Sequence, residues 1–369
     1  MEERLVAGIY VHIPFCKKRC LYCDFFSTTC LERRKEYIQA LLQEINERKN
    51  EASEPIRTIY IGGGTPSTLE AADIQRILQA IGTQDAEEIT MELNPGDASE
   101  EYMQAIRSIG VNRLSIGVQS FQDELLQTIG RRHTMLQAID AIQMAQEVGL
   151  NNISIDLMYA LPSQTMEQWK ADILTALCLN VQHISSYGLM YEEGTVLTRL
   201  RDQGELTPTD EETENEMYDT LCDKLKQAGF VHYEVSNFAL PGYESKHNSH
   251  YWNGTPYIGV GAGAHSYIGN VRSWNPNDLD AYIHGISAQN LQRESETLTE
   301  KDLYNERIML GLRTNQGIDS ALLESHIGKV EAMQDFVREK TLTLTVDGRV
   351  VATQKGLHIL NRIIEELMI

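Results

Sequence analysis

The feature that most constrains the fold of this chain is a regular alternation of short apolar runs and amphipathic stretches through its first two thirds. Each run predicts a strand, and each interval is long enough for a crossover helix, so the strands are expected to be parallel and covered by helices on at least one face. The runs are VAGIYVHI, IRTIYIGG, EEITMEL, NRLSIGV, NISIDLM and QHISSYGLM. Polar and glycine-rich motifs follow successive runs, as expected where a site is assembled at the carboxyl ends of barrel strands. We therefore predict an α/β fold with a partial (β/α)6, TIM-like barrel, and a doubly wound sheet is the competing architecture.

The pattern changes twice after the predicted barrel. It loosens near Phe238 into a segment rich in glycine, histidine and aromatic residues, which we interpret as an ordered, functional loop region. From Thr297 the sequence again shows helical periodicity, which predicts three helices, followed by a hairpin with an Asp-Gly turn and a final helix. This order is typical of a small winged-helix-like α+β domain, which we interpret as a structural or docking module.

The predicted boundaries follow from these changes. The domains are 1–237 for the barrel, 238–296 for the loop-rich connection and 297–369 for the C-terminal domain. The C-terminal helices are predicted at Glu300–Leu312, Asp319–His326, Glu331–Lys340 and Gln354–Met368.

Charge and hydropathy exclude several classes of function. The 369 residues include 32 Lys and Arg against 53 Asp and Glu, a net charge of −21, with no dense basic run. Such a surface repels nucleic-acid phosphate, so nonspecific nucleic-acid binding is disfavoured. No apolar stretch reaches the roughly 18 residues of a membrane helix, and the segment MEERLVAGIYVHIPF lacks the pattern of a signal peptide. We expect a cytoplasmic protein.

The strongest local signal is a cluster of cysteines directly after the first predicted strand. Cys16, Cys20 and Cys23 follow CxxxCxxC spacing, and thiolates at this spacing can wrap around an iron–sulfur cluster. The alternative is structural zinc, which needs four ligands; Cys30 could supply the fourth, but its distance from Cys23 is unusual for a zinc pair. The two remaining cysteines lie in helical stretches, and we interpret both as inert thiols.

CxxxCxxC after the first strand of a β/α barrel is the signature of radical S-adenosylmethionine (SAM) enzymes, and this chain resembles that family. The resemblance implies that the three thiolates hold a 4Fe-4S cluster and that SAM chelates the open iron. In this family an electron from the reduced cluster cleaves SAM to a 5′-deoxyadenosyl radical.

Further motifs follow in the order of the family. Glycines at the end of the second strand in IGGGTP allow a close backbone approach to a ligand, and polar residues follow the third, fourth and fifth strands. Taken singly, each polar residue is equally well explained as a hydrogen bond at the barrel rim. By the resemblance, the SAM-binding candidates are Tyr10, Tyr22, Gly63, Gly64, Thr65, Glu92, Gln119, Arg131 and Asp156.

Within the superfamily, the chain resembles the branch of oxygen-independent coproporphyrinogen III dehydrogenase and its relatives, the HemW heme chaperones. Two departures separate it from the dehydrogenase: Phe25 replaces that enzyme's additional cysteine, and the segment before Cys16 is short. HNSHYW matches the HNxxYW motif of the heme chaperones. The resemblance makes His247, His250 and Tyr251 heme candidates, with His265 in second place, because imidazole and phenolate can ligate heme iron. Without the resemblance, such a cluster is more often a hydrogen-bonded packing motif.

The resemblance leaves two main functions open. The first is a chaperone that binds heme and delivers it to acceptor proteins, including membrane-bound respiratory proteins, with an electron donor and transient contact at the inner face of the membrane. The alternative is oxidative decarboxylation of coproporphyrinogen III to protoporphyrinogen IX. A radical SAM enzyme with another substrate is a third possibility.

Overall fold

The computed structural model describes residues 6–369, and its centre is the predicted set of parallel strands. Strands β1 to β6 are hydrogen-bonded in sequence order, every neighbouring pair parallel. All six correspond to the apolar runs of the sequence. They are β1 (Ala7–Ile13), β2 (Ile56–Gly63), β3 (Glu88–Leu93), β4 (Arg113–Gln119), β5 (Ile153–Tyr159) and β6 (His183–Gly188).

Helices occupy the intervals between these strands, as predicted. They are α1 (Arg34–Arg48), α2 (Ala71–Ile81), α3 (Glu100–Ser108), α4 (Asp123–Thr128), α5 (Met135–Glu147) and α6 (Met166–Cys178). Local signals fix where several of them begin. Thr134 before α5 and Thr165 before α6 each form a reciprocal capping box with the glutamine three residues on.

The two faces of the barrel strands differ in chemistry. In β1, for example, Ile9, Val11 and Ile13 are fully buried in the main hydrophobic core, against the helices. The alternate positions carry polar groups that meet across the opposite face, where the Tyr60 hydroxyl donates to Glu92 and the Ser154 hydroxyl contacts the His183 ring. Because side chains alternate along a strand, this pattern seals one face of the sheet and leaves a polar interior on the other.

The sheet extends beyond the six predicted strands at both edges. Its full order is β12-β11-β10-β9-β1-β2-β3-β4-β5-β6-β8-β7, and β9 is parallel to β1. The added elements are α7 (Val196–Asp202), α8 (Glu211–Gln227), β7 (Val231–Glu234), β8 (Asn237–Ala239), α9 (Lys246–Asn253), β9 (Tyr257–Val260), β10 (His265–Ile268), β11 (Val271–Trp274), α10 (Leu279–Ser287) and β12 (Glu294–Thr297).

This arrangement corrects the description of 238–296 as loop-rich. The segment holds two helices and four strands, and its strands continue the barrel sheet. Short strands with frequent glycines hide the periodicity in the sequence. Gly259 shows why glycine is needed, since an added Cβ would lie 2.0 Å from the carbonyl oxygen of His265 on the neighbouring strand.

The C-terminal segment has a hydrophobic core of its own, formed by residues from Tyr304 to Leu367. Its hairpin and three-stranded sheet, in the order β13-β15-β14, agree with the winged-helix-like prediction. The elements are α11 (Glu300–Gly311), β13 (Ile318–Asp319), α12 (Ala321–Glu324), α13 (Ile327–Arg338), β14 (Leu342–Leu344), β15 (Arg349–Ala352), α14 (Gln354–Leu357) and α15 (Leu360–Leu367).

Three of the C-terminal helices differ from the prediction, and one of them, α13, begins at Ile327 instead of Glu331. The final helix is divided near His358, and the helix expected at Asp319–His326 has a single turn, α12. The division follows a close backbone contact: a Cβ added at Gly356 would lie 1.9 Å from the Thr341 carbonyl oxygen. No helix within residues 6–369 is long and apolar enough to cross a membrane.

Candidate functional site

The cysteine loop begins just after the carboxyl end of β1 and is closed at its base by backbone pairing. The Cys16 amide donates to the Thr28 carbonyl at 2.9 Å, and the Thr28 amide donates to Pro14 at 2.7 Å. Between these pairs, Cys16 is buried, and Cys20 and Cys23 are partly exposed. Cys30 is exposed and lies outside the closed loop. The structure therefore places the three predicted ligands on one tethered loop and leaves Cys30 apart from them.

The three thiols are free and close enough to influence each other's charge. Burial is the main cause that raises the pKa of Cys16 and of Cys23, and neighbouring cysteine thiols raise both further. The Arg131 charge lowers the pKa of Cys16, and the Arg19 charge lowers that of Cys23. The Arg131 guanidinium also donates to the Cys20 Sγ at 3.3 Å. No set of three or more His, Cys, Asp or Glu side chains within 6–369 is arranged to hold a single metal ion.

The glycine segment at the end of β2 packs directly against the cysteine loop. A Cβ added at Gly64 would lie 2.7 Å from the Pro14 carbonyl carbon and 3.0 Å from the Cys16 Sγ. The Thr65 hydroxyl lies 3.5 Å from the same sulfur. Gly63 has a φ of +117°, a conformation that L side chains rarely adopt. Both predicted glycines are therefore required by the backbone at these positions.

Two carboxylates lie inside the barrel next to this segment. Glu92 on β3 accepts from the Gly63 amide at 3.0 Å and from the Tyr60 hydroxyl at 2.9 Å. Burial, followed by the charge of Asp156, raises the pKa of Glu92 to about 7. Burial likewise raises the pKa of Asp156 to about 6, and the Ser115 hydroxyl lies 3.4 Å from its Oδ1. The site therefore holds two carboxyl groups that are poorly compensated by the protein.

Arg131 brings positive charge to the same edge. Its side chain donates to the Gly117 carbonyl as well as to Cys20. Gln119 ends β4 with a φ of 67°, and its amide nitrogen would lie 3.1 Å from a Cβ at Gly117, the same distance as the Arg131 Nη2. The structure thus brings Gln119 and Arg131 together above Gly117.

The two predicted tyrosines lie at different levels of the site. Tyr22 is in the cysteine loop, where burial is the main cause that raises its pKa and the Arg131 charge opposes it. Tyr10 lies within β1, its hydroxyl 3.0 Å from the His12 Nδ1, and it pairs in register with Tyr60. Tyr10 is therefore inside the barrel and below the cysteine loop.

The heme candidates lie away from the cysteine loop. His247, His250 and Tyr251 are on α9, and both histidines contact the Thr58 hydroxyl, which is close to the amino end of β2. His247 is fully buried, with its Nδ1 2.9 Å from Thr58 and its Nε2 2.9 Å from the Tyr251 hydroxyl. His265 is on β10, exposed and stacked on Trp274. The structure does not bring His247, His250 and Tyr251 to the edge that carries the thiols, whereas the turn before His265 reaches it, since a Cβ added at Gly263 would lie 3.6 Å from Phe26 of the cysteine loop.

The close packing of α9 against the barrel explains this burial. A Cβ added at Gly8 would lie 2.9 Å from the His250 Nδ1. Glu88 accepts from the backbone amides of Lys246 and His247 at 3.0 and 2.9 Å, where a carboxylate stabilises the start of a helix. Burial lowers the pKa of His247 well below its usual value and that of His250 to about 4, so both rings are neutral.

One residue that the sequence analysis passed over lies at the centre of the loops. Asp97, in a short turn after β3, contacts Lys17 of the cysteine loop, Ser67 after the glycine segment and Arg132 beside Arg131. In the sequence it belongs to Asn-Pro-Gly-Asp, which reads only as a turn. Its side chain is 2% exposed, and such burial of a charge in a turn is visible only in the fold.

Comparison with known proteins adds to this geometry. Residues 10–176 match the Radical SAM superfamily, and residues 298–358 match the HemN C-terminal domain. Heme chaperone HemW of Lactococcus lactis subsp. lactis is 38% identical over 98% of this chain and 97% of its own length. The chain belongs to the HemW family of radical SAM proteins. The superfamily implies a 4Fe-4S cluster and SAM as cofactors.

A second relative agrees with this assignment, and a solved structure shares the fold. Heme chaperone HemW of Bacillus subtilis is 38% identical over 87% of this chain and 86% of its own length. The solved structure of coproporphyrinogen III oxidase (HemN) from Escherichia coli, a radical SAM enzyme, superposes with a TM-score of 0.84. It covers 99% of this chain and 90% of its own at 23% identity, which establishes the shared fold.

Proposed function

We propose that this protein is a heme chaperone that holds a 4Fe-4S cluster, binds SAM and heme, and delivers heme to acceptor proteins. One observation supports the cofactor part above all others. The cysteine loop, the glycine segment and Arg131 converge at the carboxyl ends of the strands, with Gly64 and Thr65 directly against Cys16. A 4Fe-4S cluster with one open iron requires three thiolate ligands and room for a second ligand beside them. The three thiols and the adjacent glycine backbone meet both requirements.

In this proposal Cys16, Cys20 and Cys23 are the cluster ligands. The tether between Cys16 and Thr28 holds the loop closed, and Arg131 donates to a thiolate at Cys20. Such a hydrogen bond stabilises negative charge on sulfur and offsets the burial that favours the protonated thiols. When bound, the cluster supplies an electron to SAM.

The neighbouring side chains suit the charges of SAM. Glu92 and Asp156 offer carboxylates for its cationic amino and sulfonium groups, and Arg131 offers a cation for its carboxylate. A bound cation would return both raised carboxyl pKa values toward their ordinary range. We propose that Gly63, Gly64, Thr65 and Gln119 contribute close polar contacts, with Tyr10 and Tyr22 as flanking rings.

Heme binding is supported by the heme chaperones among the relatives of this chain and by the HNSHYW motif. Within the motif, the hydrogen bonds favour His250 as the residue that ligates the heme iron. Both ring nitrogens of His247 are hydrogen-bonded, whereas among residues 6–369 the Nε2 of His250 has no hydrogen-bond partner. A neutral imidazole with a free nitrogen can ligate iron. His250 is 6% exposed, so α9 must move for heme to reach it.

The deciding experiment is anaerobic reconstitution with iron and sulfide, followed by parallel assays for heme binding and for conversion of coproporphyrinogen III with SAM and a reductant. Stoichiometric heme binding without vinyl products is the expected result. Formation of protoporphyrinogen IX would instead establish the dehydrogenase alternative. Transfer is tested by mixing the heme-loaded protein with an apo-cytochrome, where the heme spectrum should move to the acceptor.

Matched variants test the assigned residues. Cys16→Ala should remove most cluster iron, whereas Cys30→Ala should retain it, because only Cys16 belongs to the closed loop. His250→Ala should weaken heme binding, with His284→Ala, at an exposed position of α10, as its control. Equal iron in both cysteine variants, or equal heme affinity in both histidine variants, would contradict the respective assignment.

The finer features of the function are part of the same proposal. The protein would receive electrons from an electron donor and deliver heme to membrane-bound respiratory proteins. The division of the chain into domains at residues 237 and 296 also belongs to the proposal. No feature of residues 6–369 supports transient contact of the protein with a membrane surface, and this contact stays a prediction.

A further inference from the structure

Asp97 joins the three loops that carry the proposed cofactor contacts. Its Oδ1 accepts from the Lys17 Nζ at 2.7 Å. Its Oδ2 accepts from the Ser67 hydroxyl at 3.0 Å and from the Arg132 guanidinium. These donors are 80, 30 and 35 residues away in the chain, so the contacts are set by the fold and not by local sequence.

The cluster around Asp97 is a buried carboxylate held by charged and polar donors. The Asp97 side chain is 2% exposed, and two cations and one hydroxyl surround its oxygens. Charge-assisted hydrogen bonds are stronger than neutral ones, and a carboxylate removed from water depends on all its partners. Ser67 is itself fixed from the other side, because its Oγ accepts from the Asn94 amide at 3.2 Å. Asp97 and Ser67 therefore join the turn, the end of the glycine segment and the two loops in one hydrogen-bonded cluster.

Two of the three donors are adjacent in sequence to proposed cofactor contacts. Lys17 is adjacent to Cys16, and Arg132 is adjacent to Arg131, whose side chain runs to Cys20 and the Gly117 carbonyl. Holding Arg132 on Asp97 directs the neighbouring Arg131 toward the thiols. Lys17 is half exposed, and without Asp97 its side chain has no other hydrogen-bond partner in the described chain.

We propose that Asp97 is a positioning residue for the cofactors, which fixes the cysteine loop, the glycine segment and Arg131 in one geometry. This inference rests on the proposed function, since it assumes that the cluster and SAM bind at these loops. It assigns to Asp97 no contact with either group. Loss of the cluster around Asp97 should misalign the loops and weaken SAM binding while the barrel stays folded.

The test uses the full-length reconstituted protein and three variants. Asp97→Asn keeps the size of the side chain and removes its charge; Lys17→Met removes one donor from a half-exposed position; Lys17→Arg keeps that donor. SAM affinity is measured from the change that SAM causes in the electron paramagnetic resonance spectrum of the reduced cluster. We expect roughly tenfold weaker SAM binding for Asp97→Asn, equivalent to about 1.4 kcal/mol. Lys17→Met should also weaken binding, and Lys17→Arg should retain the wild-type value.

Asp73→Asn is the matched control, because Asp73 pairs with a single cation three residues away within α2, Arg76 at 3.0 Å, and contacts none of the Asp97 donors. Urea unfolding of each variant separates positioning from a general loss of stability. SAM affinity within about twofold of wild type in folded Asp97→Asn would overturn the inference. If Asp97→Asn does not fold, unchanged affinity in Lys17→Met overturns it. Absence of a SAM-dependent signal in the wild type would instead overturn the proposed function on which it rests.

Discussion

Gly64 offers a direct test of how tightly the cofactor loops are packed. In Gly64→Ala the new methyl group would lie 2.7 Å from the Pro14 carbonyl carbon and 3.0 Å from the Cys16 Sγ. Ordinary contact begins near 3.4 Å, so the overlap with backbone is several tenths of an ångström. Pro14 has little freedom to yield, because its carbonyl accepts from the Thr28 amide at 2.7 Å, and the Gly64 amide is held by Ile13 at 2.8 Å.

The expected cost follows from this rigidity. Overpacking a tightly packed site destabilises proteins by about 1–3 kcal/mol. The other atom in contact is a proposed cluster ligand, and we expect it to shift, so Gly64→Ala should also lose cluster iron on reconstitution. Unfolding in urea gives the change in stability, and iron and sulfide analysis gives the cluster content.

Gly328→Ala is the matched control for this substitution. Gly328 lies in α13, has no positive φ and has no atom within 4 Å of an added Cβ. Replacing a helical glycine by alanine stabilises a helix by up to about 1 kcal/mol. Gly64→Ala with wild-type stability and iron content would refute the argument that the glycine segment packs directly against the cysteine loop.

Two further substitutions test the buried charges. The pKa of Glu92 is raised to about 7, so the folded, cofactor-free protein holds a proton that the unfolded chain releases near pH 4.5. The stability of the protein should therefore fall as pH rises between these two values. Glu92→Gln should reduce that fall, as measured by urea unfolding at pH 5 and pH 8. Glu44, fully buried, accepts four hydrogen bonds, one of them from Arg48 at 2.6 Å, so Glu44→Ala should cost about 3–5 kcal/mol of stability. The surface control Glu36→Ala, which breaks an ion pair with Arg33, should change stability by less than about 1 kcal/mol.

The barrel could be predicted because its signals are local. Each strand from β1 to β6 is a continuous apolar run, and each interval holds one or two helices, so length and spacing alone indicate parallel strands. The edge strands β9 to β12 have only four residues each and depend on pairing with distant parts of the chain. The break near His358 likewise depends on a contact between Gly356 and Thr341. Such features are decided by tertiary packing, which periodicity does not record.

The same distinction applies to the site. Glu92, Gln119 and Asp156 end or precede the ends of their strands, and parallel strands bring such positions to one edge of a sheet. Asp97 could not be found in this way, because its nearest donor in sequence, Ser67, is 30 residues away. The pairing of an aspartate with two cations from separate loops requires the assembled fold.

The place of the HNSHYW motif follows from the direction of one strand. Helix α9 immediately precedes β9, and β9 is parallel to β1. The chain therefore enters β9 at the end of the barrel where β1 begins, whereas Cys16 follows the point where β1 ends. His250 is level with Gly8, and the five residue steps from Gly8 to Ile13, at about 3.3 Å each, span about 17 Å. An iron atom ligated by His250 would thus lie near the amino end of β1, so the heme iron and the cluster would be two separate centres in the proposed function.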